Sequence, residues 1–403
     1  MRAVRMGVIC VLSAALSHLC ANPAERLVDL TGEERVRIVW TRSATNVFGF
    51  EINHEENQVL VGYDTETGLE DTIVSELSNY QRPLINRTGC YVLYSSRVDT
   101  GVHIVDFGGH SAPEKIAHGV AGCLWYDEAA EKEYAFYAVQ YEGRSRVAVR
   151  RVNIFDPSED TLVFNQSETL PVNGQWLCVS SDGAQIGCVW GWPACRTYIM
   201  ETGRQRVSSN GCWTSMPYDT SYRLVHLNVD HTGIIVAKRT GGSTTKTEVP
   251  TGVINHGRLA SYSVRFFCAS RGMNEEGGNE GGYIGLMRLD SALTTVEDTV
   301  IVADKPTGAG DGFPDMWCGP TLMTCGSVEC QDRESHGQPA HPTGGIDARY
   351  ETVVTVHTLN GRQLPVPGRG FVADVRSRIR LNGLAIVSLA NGENVLLRVS
   401  GRR

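Results

Sequence analysis

The chain has 403 residues, of which 20% are charged, and a formal net charge of −8 at pH 7. Binding to nucleic acid or to an anionic membrane needs Lys and Arg clustered on the contact face, so this acidic balance argues against both classes of partner. The charge is uneven, because residues 349–403 contain nine Arg, no Lys and three acids, a local balance of +6 that leaves about −14 for the rest.

The first 21 residues have the layout of a secretory signal peptide. Arg2 and Arg5 precede an apolar run from Met6 to Leu16, and the small residue Ala21 follows at a predicted cleavage site. The alternative is a single membrane anchor, but the run is shorter than the roughly 20 residues that a spanning helix needs. We therefore expect the mature protein outside the cytoplasm, either secreted or at the cell surface.

A unit of about 45 residues then recurs six times with little identity between its copies. Each unit runs from a strand through a turn to a polar turn containing Pro or Gly, and then to an apolar strand. Alternation of apolar and polar residues and enrichment in Val, Ile, Tyr and Trp favour strands. Because one such sheet cannot bury both its faces alone, residues 22–318 predict an all-β, six-bladed β-propeller. The units begin near residues 59, 102, 147, 196, 234 and 283.

Several units resemble the TolB-type six-bladed propeller, whose repeats run from an I-Y-V-x-D strand to a P-x-x-S-P-D-G turn. The corresponding segments are VHIVDFGG at 102–109, RPLINRTG at 82–89, LCVSSDG at 177–183 and TSMPYDTS at 214–221. The segments WPAC at 192–195, GCWTSM at 211–216 and GDGFPDMW at 310–317 also resemble a group of secreted bacterial propeller proteins. The resemblance implies the fold and not an activity, because propellers serve both as binding platforms and as enzymes.

Ten of the twelve cysteines follow residue 21. An even number in an exported protein indicates disulfides, although the sequence alone does not give their connectivity. We expect Cys195 to pair with Cys212, which would tie a blade strand to its inner turn. We expect Cys178 to pair with Cys188, as on adjacent strands of a hairpin. No paired C-x2-C spacing occurs near Cys318, so we expect neither a metal nor another cofactor.

Residues 319–348 are rich in Gly, Pro, Cys and His without periodicity, as expected of a linker. Residues 349–403 then predict a small β module. This tail resembles the C-terminal sorting domain of type IX secretion cargo, with LNGRQL at 359–364 and LNGLAIVSLANGENVLLRVSGRR at 381–403 in the places of the family's motifs. The resemblance implies the secretion machinery as a partner, and the alternative is a small β-sandwich appended to the propeller.

The innermost strands of a propeller line its axis, so the loops that enter them bring together residues distant in sequence. The polar turns ahead of the Pro-containing strands therefore predict a ligand site at the mouth of an axial channel. Its members mix acids, bases, amides and an indole, as a ligand with many hydroxyl groups requires. They are Asn79, Arg82, His118, Glu168, Asn210, Trp213, His256, Arg258, Asp311 and Asp315.

Two functions fit this site. The first is non-catalytic binding of a carbohydrate or cell-surface ligand by a monomeric exported propeller, and it is preferred because no motif commits a residue to chemistry. The second is a carbohydrate-active enzyme. A glycoside hydrolase would use Asp311 with Asp315, or Asp311 with Glu168, as paired carboxylates. A polysaccharide lyase would use His256 as the base beside Arg258.

Overall fold

The computed structural model describes residues 22–44, 57–140, 147–166, 177–190, 193–240, 243–271, 282–303 and 310–319, and four strands between residues 353 and 399. The predicted signal peptide, and all of the predicted linker except Gly319, lie outside the described residues. The chain divides into two units, Met1–Cys325 and Gly326–Arg403.

The described part of the first unit begins with the helix α1 (Pro23–Thr31). Asn22 caps its N-terminus, since the Asn22 side chain accepts a hydrogen bond from the backbone N–H of Ala24, and Pro23 fits the first turn because that turn needs no N–H donor there. Gly32 ends the helix in the left-handed conformation (φ 72°). Within the described residues, no helix combines the length and the hydrophobicity that a membrane crossing requires.

Six antiparallel four-stranded sheets, the blades, follow in chain order. The outer three strands of blade 1 are β1 (Arg35–Ser43), β2 (Gln58–Asp64) and β3 (Leu69–Ser78). Blade 2 contains β4 (Tyr80–Ile85), β5 (Tyr91–Ser96), β6 (Gly101–Asp106) and β7 (Glu114–His118). Blade 3 contains β8 (Val120–Asp127), β9 (Lys132–Gln140), β10 (Val147–Asn153) and β11 (Asp156–Gln166).

The remaining blades repeat this order from the innermost strand outward. Blade 4 contains β12 (Cys178–Val179), β13 (Gln185–Val189), β14 (Ala194–Ile199) and β15 (Arg204–Asn210). Blade 5 contains β16 (Cys212–Ser215), β17 (Leu224–Leu227), β18 (Gly233–Thr240) and β19 (Ser243–Pro250). Blade 6 contains β20 (Ile254–Leu259), β21 (Phe266–Arg271), β22 (Tyr283–Leu289) and β23 (Val296–Ala303).

The ring is closed by β24 (Gly310–Gly319), which pairs with β1 and so becomes the innermost strand of blade 1. Each innermost strand contacts the innermost strand of the next blade, from β24 through β4, β8, β12, β16 and β20 back to β24. This closed circuit of inner strands gives the molecule a central axis. The predicted all-β, six-bladed propeller is therefore confirmed.

Apolar side chains fill the six interfaces between neighbouring blades, one core cluster to each interface. At the seam between blades 6 and 1, α1 adds Leu27 and Leu30, which are fully buried beside Trp40 and Phe266. Burial of such side chains stabilises the fold by about 1.5–3 kcal/mol each. The helix thus reinforces the interface at which the two ends of the propeller meet.

The predicted period is right, but the predicted units are out of phase with the blades of the structure. The six predicted unit starts fall on β2, β6, β10, β14, β18 and β22, which are the third strands of the six blades. Where residues are described, the predicted polar turns are innermost strands, such as β4, β16, β20 and β24. Their Pro and Gly residues suggested turns, whereas they lie in bulged strands around the axis.

The second unit contains β25 (Val353–Thr358), β26 (Gln363–Leu364), β27 (Gly383–Leu389) and β28 (Asn394–Val399). They form one antiparallel sheet in the order β26, β25, β27, β28. The unit is thus a small β module, as the sequence predicted. Its role as a sorting domain stays a prediction.

The two predicted disulfides are wrong, because Cys178, Cys188, Cys195 and Cys212 are all free thiols. Cys178 lies opposite Gly187, so Cys188 is one residue out of register and packs on the other face of blade 4. Cys195 packs between blades 4 and 5, whereas Cys212 packs between blades 5 and 6. These thiols act as small apolar residues in the interfaces. Cys90, by contrast, is disulfide-bonded.

Candidate functional site

Four of the innermost strands carry the same bulge, in which two residues oppose one residue of the neighbouring strand. The first bulge residue has a positive φ in every case, and this turns its side chain out of the regular alternation. Bulges of this kind commonly re-aim side chains at sheet edges. The residues with positive φ are Arg82 (45°), Trp213 (56°), His256 (51°) and Phe313 (53°).

Three of these side chains, from blades 5, 6 and 1, pack against one another. The ring centroids of Trp213 and His256 are 5.1 Å apart, and those of His256 and Phe313 are 4.3 Å apart. Each side chain is at least 97% buried, since their exposed fractions are 3%, 1% and 2%. The predicted open channel mouth is therefore filled here by a packed aromatic cluster.

The fourth bulge residue, Arg82, extends from blade 2 across the axis. Its Nη2 donates to the backbone carbonyl of Thr214 in blade 5, on the opposite side of the ring, at 3.4 Å. Burial, together with the positive charge of Arg258, lowers the pKa of Arg82 to about 9, so its guanidinium stays charged at neutral pH. Arg258 enters the same region from blade 6, and its Nε lies 3.9 Å from an oxygen of Asp315.

Both predicted catalytic carboxylates are fully buried and bonded to other parts of the propeller. Asp311 accepts hydrogen bonds from Nε of Arg42 (2.7 Å) and from its Nη2 (2.9 Å), while burial raises the pKa of this carboxyl. Asp315 accepts from the backbone N–H of Ile85 (2.9 Å), and from the N–H (2.9 Å) and hydroxyl (2.7 Å) of Ser261. Asp311 thus ties β24 to β1 within blade 1, whereas Asp315 joins blade 1 to blades 2 and 6. The two side chains are buried and do not face each other across open space.

His256, the predicted base of a lyase, is a buried neutral imidazole. Its Nδ1 lies 2.9 Å from the hydroxyl of Ser270. Burial, reinforced by His231, lowers the pKa of His256 to about 3, too far below neutral pH for an effective base. His231 is 2.8 Å from the sulfur of Cys212, and no group of metal-binding side chains occurs among the described residues.

The other predicted site residues do not converge. Asn79 is 3% exposed and directly precedes β4, with no hydrogen-bond partner for its side-chain oxygen among the described residues. His118 and Asn210 are exposed and end the outermost strands β7 and β15. Glu168 lies outside the described residues. Six of the ten predicted residues, namely Arg82, Trp213, His256, Arg258, Asp311 and Asp315, therefore lie buried on innermost strands.

A cavity of about 500 Å³ opens between blades 2 and 3, at the end of the blades where the inner strands finish. Its wall combines two aromatic rings with charged and amide groups. The guanidinium of Arg87 lies 3.8 Å from the ring centre of Tyr126, and Phe155 at the rim is 49% exposed. The lining residues are Arg87, Thr88, Tyr126, Glu131, Lys132, Glu133, Asn153 and Phe155.

Beside this cavity, loops of four blades meet over the axis. Glu133 of blade 3 is 4% exposed and accepts hydrogen bonds from Tyr262 of blade 6 and, at 2.8 Å, from the backbone N–H of Arg87 in blade 2. Tyr218 of blade 5 packs edge-on against Tyr262, with ring centres 4.9 Å apart. Burial raises the pKa of Glu133, and these hydrogen bonds oppose the shift.

Sequence reasoning missed the cavity. The charged segment Glu131–Lys132–Glu133 has a sequence that is typical of a solvated turn. The aromatic residues Tyr126 and Phe155 come from different turns, and only the blade arrangement brings them together. A useful signal would have been Phe155, an aromatic residue at the turn between β10 and β11. Its ring packs edge-on against Tyr91, with ring centres 5.3 Å apart, yet it stays 49% exposed.

No protein-family model matches the sequence, and no curated protein is detectably similar to it. Among solved structures, the chain is similar to TolB from Acinetobacter baumannii, with 14% identity, a TM-score of 0.42, and coverage of 72% of this chain and 69% of that one. The chain is also similar to a putative TolB from Agrobacterium tumefaciens, with 12% identity and a TM-score of 0.43. This match covers 70% of this chain and 99% of that one. An oligogalacturonate lyase in complex with manganese is 13% identical, with a TM-score of 0.30. This match covers 47% of this chain and 53% of that one. At these identities the likeness concerns the fold alone.

Proposed function

We propose that this protein is a non-catalytic binding propeller that holds a carbohydrate in the cavity between blades 2 and 3. The observation that carries the proposal is the composition of the cavity wall, which includes both the exposed ring of Phe155 and the guanidinium of Arg87. An aromatic face packs on the apolar face of a sugar, and planar polar groups bond pairs of hydroxyls. A cavity of about 500 Å³ is within the size range of small-molecule sites.

The state of the acids and bases at the axis supports binding over catalysis. Hydrolysis of a glycoside needs two carboxylates on either side of the scissile bond, but Asp311 and Asp315 are fully buried and bonded within the propeller. A lyase needs an accessible base, and His256 is 1% exposed. We therefore propose the cavity between blades 2 and 3, and not the axis, as the ligand site.

We further propose that the protein is exported and acts as a monomer. Residues 1–21 support export by their basic and apolar segments, and the resemblance of residues 349–403 to a sorting domain supports a role for the secretion machinery. Mass spectrometry of the protein from the culture medium and from the cell fractions would test this. A mature N-terminus near residue 22 outside the cytoplasm is the expected result, and an intact cytoplasmic chain would contradict it.

The binding test is a glycan array followed by titration calorimetry with the best ligand. Phe155→Ala removes a ring that the ligand would cover, so Kd should rise about 30-fold, equivalent to about 2 kcal/mol. Leu77→Ala is the matched control, because Leu77 is 55% exposed on the outermost strand of blade 1, away from the cavity. The control should leave Kd unchanged.

Three results would count against the proposal. Equal Kd values for wild type and Phe155→Ala would remove the cavity as the site. Absence of binding to any glycan would remove carbohydrate as the ligand. Release of reducing ends or unsaturated uronates by the wild-type protein would show turnover, and its loss in Asp311→Asn or His256→Gln would favour an enzyme at the axis.

A further inference from the structure

We call the buried groups around Arg82 and Arg258 at the propeller axis the axial layer. It contains two guanidiniums, and each has an N–H donor without a partner among the described residues. Arg82 is 2% exposed and Arg258 is 6% exposed, and their side chains repel each other electrostatically. Nη1 of each has no hydrogen-bond partner among the described residues. Unpaired buried charge is strongly destabilising, so two such nitrogens in one layer require an explanation.

The neighbouring thiols do not neutralise these charges. Cys123 and Cys178 both interact electrostatically with the two guanidiniums. Burial raises the pKa of each thiol to about 12, despite the opposing effect of the arginines. Both sulfurs are therefore protonated at neutral pH, and they offer the layer weak S–H donors and no negative charge.

Asp315 compensates one positive charge at most. Its two oxygens already accept three hydrogen bonds, from Ile85 and Ser261, and the nearer nitrogen of Arg258 is 3.9 Å away. Among the described residues, this layer therefore contains two guanidiniums and one carboxylate. A small anion would balance the one excess positive charge and would accept hydrogen bonds from both unused Nη1 donors.

We infer that the propeller axis binds one small monovalent anion between Nη1 of Arg82 and Nη1 of Arg258. The anion joins blade 2 to blade 6 around the seam where β24 closes the ring. Its role is structural, since the layer is buried, and the site is separate from the cavity between blades 2 and 3. Failure of carbohydrate binding would therefore leave this inference standing.

The direct test uses bromide, because its anomalous scattering identifies it in a crystal. Crystals of the full chain grown in sodium bromide should show an anomalous peak within hydrogen-bond distance of both Nη1 atoms. Ordered water without an anomalous peak there would overturn the inference. Peaks at surface sites only would show adventitious ions only and would also overturn it.

A solution test measures thermal unfolding in bromide against gluconate, an anion too large for a closed site, at equal ionic strength. A single site at 100 times its Kd raises the folding equilibrium constant about 100-fold. Arg258→Gln leaves one guanidinium for one carboxylate, so it should lose this difference and be no less stable than wild type in gluconate. Arg150→Gln is the control, because it removes a surface guanidinium paired with Asp160.

The two variants and the crystal give separate readings. Equal bromide dependence in wild type and Arg258→Gln would refute the site. Loss of dependence in Arg150→Gln as well would indicate general salt effects and would refute it too. If Arg258→Gln fails to fold, the anomalous peak in the wild-type crystal alone decides.

Discussion

Replacing Asp315 by Ala should destabilise the propeller more than any exposed carboxylate substitution. The carboxylate is fully buried on β24 of blade 1, yet it accepts hydrogen bonds from Ile85 of blade 2 and from the N–H and hydroxyl of Ser261 in blade 6. Removing it leaves these donors unpaired away from water. It also leaves Arg258 without its counter-charge, although Nε of Arg258 still donates to the carbonyl of Leu259. Loss of one member of such a buried charged group costs about 3–5 kcal/mol.

Urea denaturation followed by tryptophan fluorescence measures this loss. The midpoint should fall while the slope stays constant, because the native surface area is unchanged. Asp160→Ala is the matched control. Asp160 accepts hydrogen bonds from Arg150 and from the hydroxyl of Tyr137, but its side chain is 31% exposed, so its removal should cost only about 1 kcal/mol.

A double-mutant cycle then tests the cause. Arg258→Gln removes the charge that Asp315→Ala leaves without a partner. In gluconate, the double variant should therefore be more stable than the sum of the two single effects predicts, by about 0.5–3 kcal/mol. A loss for Asp315→Ala equal to that for Asp160→Ala would refute the idea that this carboxylate holds three blades together. Strict additivity would refute the coupling to Arg258.

Two further predictions concern pH and backbone strain. Burial lowers the pKa of His226 to about 4 and of His256 to about 3, so at these two positions the unfolded chain binds two protons more than the folded chain between about pH 6 and 4. Together the two histidines should make stability fall by about 2.7 kcal/mol per pH unit in that range. In urea titrations, Gln at either position should reduce the pH slope by about 1.4 kcal/mol per unit. Leu77→Ala, which changes no titratable group, should leave the slope unchanged, and equal slopes for wild type and the Gln variants would contradict the assignment. Gly89→Ala should cost at least about 2 kcal/mol more than Gly68→Ala, since both residues have positive φ but only at Gly89 would a Cβ lie 2.5 Å from an indole ring. Equal denaturation midpoints for these two variants would show that the indole moves aside.

The architecture could be predicted from the sequence because it depends on a period. Strands such as β2 and β6 are rich in β-branched residues, and the spacing between the strands sets the number of blades. The blade boundaries could not be predicted in the same way. β24 lies far from β1 in the chain, and pairing between them is a property of ring closure that no local pattern encodes.

The site was predicted less well for a related reason. Arg82, His256 and Asp315 lie on innermost strands, which converge on the axis in any propeller, and their place there follows from the blade order. Their burial could not be foreseen, since a bulge in β4 or β20 decides whether a polar side chain faces solvent or the packed axis. The cavity between blades 2 and 3 depends on three separate turns, so it required the fold itself.

Backbone strain at the axis reflects the fold and not a catalytic centre. A non-glycine residue with positive φ costs about 1–2 kcal/mol, and such strain often marks functional sites. Here it occurs at the same bulge position in four innermost strands, with Arg82, Trp213, His256 and Phe313. These side chains differ in charge and chemistry, so a shared reaction cannot explain their common conformation. The repeated position around the axis can, and the strain at His256 alone is therefore no reason to assign it a catalytic role.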